Sequence, residues 1–115
     1  MGDVRMPMKA LELNSVILDI KSIVAQDPTT VKRIGVFGSL ARGETHENSD
    51  IDIAIEYEHD PNKTINFAHF TKFIKMCEQL EDILSGQYGR KIDVIPVEER
   101  ENCLLQDIRE EIIWV

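Results

Sequence analysis

Two carboxylates alternate with apolar residues in SDIDIAIE (49–56), and a Gly38-Ser39 pair precedes Asp50 with ten residues between. Strict alternation puts Asp50 and Asp52 on one side of an extended strand with Cα atoms about 6.6–7 Å apart, so both can turn toward one or two divalent cations. Without a cation the pair is unfavourable, because like charges this close disfavour joint ionisation and burial raises the penalty. Gly38 permits a tight strand-to-helix turn and close approach of a phosphate to the main chain. Ser39 then falls at a helix start, where free amides and the positive dipole end favour an anion and the hydroxyl adds a donor. A phosphate cradle facing a cation-binding strand is chemistry for a nucleotide held through metal. Taken singly, each half has a plainer reading: a solvated strand face for the aspartates, a ligand-free cap for Ser39.

Two look-alikes fail on single residues. GSLARGET (38–45) has the glycines and threonine of a P-loop, but Glu44 stands where that loop needs a lysine on the β- and γ-phosphates. An EF-hand also begins with aspartates one residue apart, yet Ile53, Ala54 and Ile55 deny it the further oxygen ligands and the glycine.

The elements that position these residues follow from periodicity. In 14–26, Val16, Ile20, Ile23 and Val24 form a helical stripe behind an Asn14 or Ser15 cap. VKRIGVFG (31–38) predicts a strand ending in glycine, SLAR a short helix, and DIDIAIEY (50–57) a strand with Ile51, Ile53, Ile55 and Tyr57 on the face opposite Asp50, Asp52, Ala54 and Glu56. Past a DPN turn, Phe67, Phe70, Ile74, Cys77, Leu80 or Glu81, and Leu84 predict a long helix stopped at Gly86. The Phe67, Phe70 and Phe73 series reads as helix packing rather than a base-stacking platform. RKIDVIPV (90–97) predicts a third strand, and Leu105, Ile108 and Ile112 a final helix. This order suits an α/β (α+β) fold with a small mixed sheet flanked by helices, as one domain over 1–115.

Composition limits the function. A net charge of −8 argues against broad, direct contact with nucleic acid, which depends on many lysines and arginines. It leaves nucleotides open, since a triphosphate can bind through divalent cations held by carboxylates. The chain carries no run of the ~20 apolar residues that a membrane helix needs and no secretory signal, so a cytoplasmic location is expected. Cys77 and Cys103 form no CxxC pair, and His46, His59 and His69 lack zinc spacing; buried thiols are the expected reading.

The GS-x10-DxD pattern of Gly38, Ser39, Asp50 and Asp52 resembles the nucleotidyltransferase (DNA polymerase β-like) superfamily, and GSLARGE…SDIDIAIE is most similar to its minimal nucleotidyltransferase group. The resemblance implies a third acid on a later strand, matched by Asp93 in KIDVIPV. It implies two Mg2+ ions on Asp50, Asp52 and Asp93, ATP as the substrate, and Asp93 as acceptor of the attacking hydroxyl's proton. Arg42, within a turn of the cradle, is placed to neutralise phosphate charge, or alternatively to pair with Glu44 or Glu47. Ser49 reads as fixing the loop before Asp50, while Arg90, Lys91 and His46 read as ordinary solvated residues. The group further implies a HEPN-domain RNase toxin as partner, silenced by transfer of AMP to a tyrosine, and a toxin–antitoxin hetero-oligomer. Two rivals stand beside it: a non-catalytic antitoxin that works by direct contact, and an aminoglycoside-type adenylyltransferase.

Overall fold

The computed structural model of the protein describes residues 9–46, 49–60, 62–64, 66–97 and 111–115. Helix α1 (Leu13–Val24) turns Val16, Ile20 and Ile23 into the core. Glu12 occupies the N-cap position without a side-chain bond. The capping expected of Asn14 or Ser15 does not occur, because both lie within the helix and the Ser15 hydroxyl is hydrogen-bonded to Tyr88 Oη at 2.8 Å. After a 3-10 turn at Pro28–Thr30, strand β1 (Val31–Phe37) leads into the short helix α2 (Gly38–Arg42). Strand β2 (Ile51–Tyr57) follows, then α3 (Phe67–Tyr88), β3 (Ile92–Val97) and β4 (Ile113–Trp114).

The four strands form one sheet in the order β3-β2-β1-β4. Strand β1 is antiparallel to β2 and β4, while β2 and β3 are parallel, with α3 as their crossover. Pro96 lies on β3, an edge strand, where its missing N–H breaks no interior ladder. The alternation seen in β2 is realised: Ile51, Ile53 and Ile55 are fully buried against α1 and α3. Ala54, on the opposite face, is equally buried in a second apolar cluster with Phe37, Val97 and Ile112. The aspartate face is therefore partly roofed rather than a solvated surface.

Helix α3 keeps Leu80 and Leu84 of its predicted stripe but departs from it toward the N-terminal end. The buried stripe is Phe73, Met76, Leu80, Leu84 and Tyr88, while Phe67 is 83% and Ile74 40% exposed. Of the three phenylalanines only Phe73 is core; Phe70 lies at the margin, its ring edge-on to Tyr57. The helix also runs through Gly86 and stops at Gly89, whose left-handed φ of 63° forms the C-cap. Cys77 is half-buried, and burial pushes its thiol up to about 11.

Leu105, Ile108 and Cys103 lie outside the described residues. Ile112, assigned to a final helix from spacing, is instead a buried residue leading into β4. Its neighbours Ile113 and Trp114 pair with Val36 and Gly35, so a strand rather than a helix follows Ile112 directly. Among the described residues no helix is long and apolar enough to cross a membrane.

Candidate active site

The site forms where β1 ends and β2 and β3 begin. Antiparallel pairing sets Asp52 opposite Phe37, and parallel pairing sets it opposite Asp93. Opposed residues share a face, so the two carboxyls come together across adjacent strands. Phe37 hands the chain to Gly38, whose φ of 73° is the left-handed conformation that glycine adopts without strain. A Cβ at Gly38 would collide with Asp52 Oδ2. The GS turn and the DxD strand thus meet in space, with a bare backbone against a carboxylate.

Burial pushes the Asp52 carboxyl above its ordinary range. The neighbouring charges of Asp93 and Asp50 and a hydrogen bond with Asp93 push the same way, while Arg42 acts weakly against them. That conflict is the one a divalent cation removes. The donor set, three carboxylates at a partly enclosed strand end, fits a hard cation with oxygen ligands. Among the described residues no three His, Cys, Asp or Glu side chains are already gathered around one point, so the fit is one of chemistry and placement.

Ser39 is the second residue of α2, and no side chain caps that helix. Its carbonyl accepts the Glu44 amide at 2.8 Å, closing the helix end where Gly43 is left-handed at φ 73°. Arg42 is exposed and donates to Glu44 at 3.0 Å and to Glu111 at 3.1 Å. The pairing with Glu44 is thus present, although the Arg42 charge still reaches Asp52.

Asp50 precedes the first residue of β2 and arrives from a tightly held approach. Ser49 is 4% exposed, its hydroxyl accepts the His46 amide at 2.7 Å, and its own amide donates to His46 O at 3.0 Å. Ser49 therefore organises the approach as its position before Asp50 predicted. Arg90 departs from expectation: Nη1 donates to His46 O at 2.7 Å and to Ser49 O at 3.3 Å. No periodic or motif signal marks it, because its partners are backbone carbonyls over forty positions upstream. Lys91 lies 3.7 Å from Asp93 Oδ1, a loose pair at the rim. At the far end of the same face Glu56 receives Arg33 Nε at 2.7 Å and lies 3.4 Å from Lys32 Nζ.

The sequence profile of the nucleotidyltransferase domain matches residues 17–115. A relative from Methanocaldococcus jannaschii, provisionally named a protein adenylyltransferase, is 36% identical over 109 residues, covering 94% of this chain and all of its own. The protein adenylyltransferase MntA of Thermococcus cleftensis is 31% identical over 110 residues, covering 96% of this chain and all of its own. In fold, the chain is similar to a solved structure described provisionally as a minimal nucleotidyltransferase (TM-score 0.58, 22% identity, 97% of this chain and 98% of that one). It is similar also to a toxin–antitoxin structure with AMP-PNP (TM-score 0.54, 20% identity, 87% and 69%). The chain belongs to the nucleotidyltransferase domain family.

Proposed function

We propose that this chain, a single nucleotidyltransferase domain over residues 1–115 working in the cytoplasm, transfers AMP from ATP to a tyrosine hydroxyl of a HEPN-type RNase toxin and so acts as its antitoxin. The observation that carries the reading is the meeting of Asp52 with Asp93, Asp50 and the bare Gly38 backbone at one strand end. Support for the protein acceptor comes from relatives named protein adenylyltransferases and matched over their full length. The toxin–antitoxin fold neighbours, one of them solved with AMP-PNP, agree with a partner and a nucleotide.

In this reading Gly38 and Ser39 receive the triphosphate, and Arg42 leaves its carboxylate partners for the phosphate oxygens. Asp50, Asp52 and Asp93 would hold two Mg2+ ions, which would supply charge neutralisation for an in-line displacement at the α-phosphorus. Asp93 takes the proton of the acceptor hydroxyl. The acceptor oxygen bonds to the α-phosphorus, the bond from that phosphorus to the bridging oxygen of the β-phosphate breaks, and pyrophosphate departs with the electron pair. Placing Asp93 across from Asp52, one strand over, lets a single residue serve both the cation and the proton.

The test is intact mass of the toxin partner after incubation with this protein, ATP and Mg2+. A gain of one AMP on tyrosine, lost when Asp52→Asn replaces the wild type, is the expected result. Full neutralisation by Asp52→Asn with no mass gain in either reaction overturns the catalytic reading in favour of inhibition by contact.

A further inference from the structure

We infer that Arg90 is a positioning residue that sets the Asp50 carboxylate against Asp52 and Asp93 by gripping the approach to β2. The inference rests on the carboxylate site proposed above and assigns work to a side chain outside it. Arg90 reaches His46 O at 2.7 Å and Ser49 O at 3.3 Å through one nitrogen. His46 and Ser49 are themselves tied by two hydrogen bonds, at 2.7 and 3.0 Å, so a force on either carbonyl is carried to the residue next to Asp50. One position beyond Asp50, the Ile51 amide donates to Lys91 O at 2.9 Å.

Both sides of Asp50 are thus anchored to the two residues Arg90 and Lys91. The same short segment continues into Ile92 and Asp93, which are in register with Ile51 and Asp52. One stretch of chain therefore both supplies the third carboxylate and locates the first. Asp50 lies before the ladder begins, so strand pairing alone does not fix its backbone; the Arg90 grip does. Arginine suits the task because a guanidinium stays charged and its hydrogen bonds to neutral carbonyls are charge-assisted. Three neighbouring carboxylates repel one another without a cation, and a rigid tether keeps Asp50 from swinging outward to relieve that repulsion. Groups that orient metal ligands in this way typically alter affinity by about 10–100-fold when removed.

The experiment measures Mn2+ binding by electron paramagnetic resonance, with a non-hydrolysable ATP analogue present, for wild type, Arg90→Gln, Arg90→Lys and Asp52→Asn. Thermal melting is recorded for each. Folded Arg90→Gln is expected to bind Mn2+ at least about 10-fold more weakly, with Arg90→Lys between it and the wild type because the positive charge on the donor is kept. Folded Arg90 variants that bind as the wild type does overturn the inference. So does failure of both Arg90 variants to fold, which assigns the residue to stability alone. Weak binding by wild type and Asp52→Asn alike overturns the underlying carboxylate site instead, so the two failures are distinct.

Discussion

Asp52 is caught between Asp93, Asp50 and the Gly38 backbone, and its carboxyl is pushed up by burial first and by their charge second. In a family member this is a stability cost kept for chemistry, as strained functional sites commonly show. Asp52→Asn is isosteric, keeps a donor for Asp93 and removes one of the repelling charges. It should raise the melting temperature in metal-free buffer while lowering nucleotidyl transfer by at least about 100-fold, the scale of losing one group aimed at the transition state. Calorimetry and intact-mass assays on one preparation check both signs. Glu56 shows the opposite balance on the same strand. Burial alone would push its carboxyl up, but hydrogen bonds from Arg33 and Lys32 outweigh burial and hold it below its ordinary 4.5. A depressed folded value adds stability above 4.5 that is lost as the pH falls through the folded value. Wild type should therefore exceed Glu56→Gln in urea midpoint at pH 7, with the gap closing in acid.

At the scale of elements, α3 separates two glycines that look alike in sequence. Gly86 is an interior helical residue with open space where a methyl group would point, whereas Gly89 is left-handed at φ 63° and ends the helix. Gly86→Ala should stabilise by about 0.5–1 kcal/mol through helix propensity. Gly89→Ala should destabilise by about 1–2 kcal/mol, the cost of a Cβ in that conformation. Equilibrium urea unfolding of the two variants reads both directly. Periodicity made α3 legible in the sequence, but choosing its stop requires knowing that Tyr88 reaches the core, where Asp19 accepts its hydroxyl hydrogen bond at 2.5 Å. Likewise Phe67 and Ile74 match a helical spacing, but in the first half of the helix the core takes Phe73 and Met76 instead, joining the expected Leu80 and Leu84.

Across the whole molecule the sheet is closed at one side by two residues. Strand β4 contributes Ile113 and Trp114 to pairing with β1, and Arg33 stacks over the Trp114 ring at 4.1 Å while bonding Glu56. Gly35 makes this possible, because a Cβ there would stand 2.8 Å from Ile113 O and against the Ile112 side chain. Gly35→Ala is expected to loosen β4, red-shift the emission of the single tryptophan, and lower the melting temperature. The unpaired β1 edge should then favour association, seen as a higher apparent mass in light scattering. Unchanged emission and melting would show that β4 tolerates the methyl group and that its packing is looser than the contact implies.

By itself the sequence determined the parts that repeat with a period or match in a spaced pattern: the β2 alternation, the Gly38-Ser39 turn, the DxD pair and the family's third acid at Asp93. Those signals are local, since a strand's two faces and a glycine's φ are set within a few residues. Tertiary structure decided that Asp93 faces Asp52, that the aspartate face is partly roofed by Phe37, Val97 and Ile112, and that Ile113–Trp114 is a strand. It also turned Arg90 from an ordinary surface charge into the tether of Asp50's approach. The physical reason is common to all four: each depends on which distant backbone groups lie opposite, and a hydrogen-bond ladder or a carbonyl grip leaves no trace in the identity of neighbouring residues.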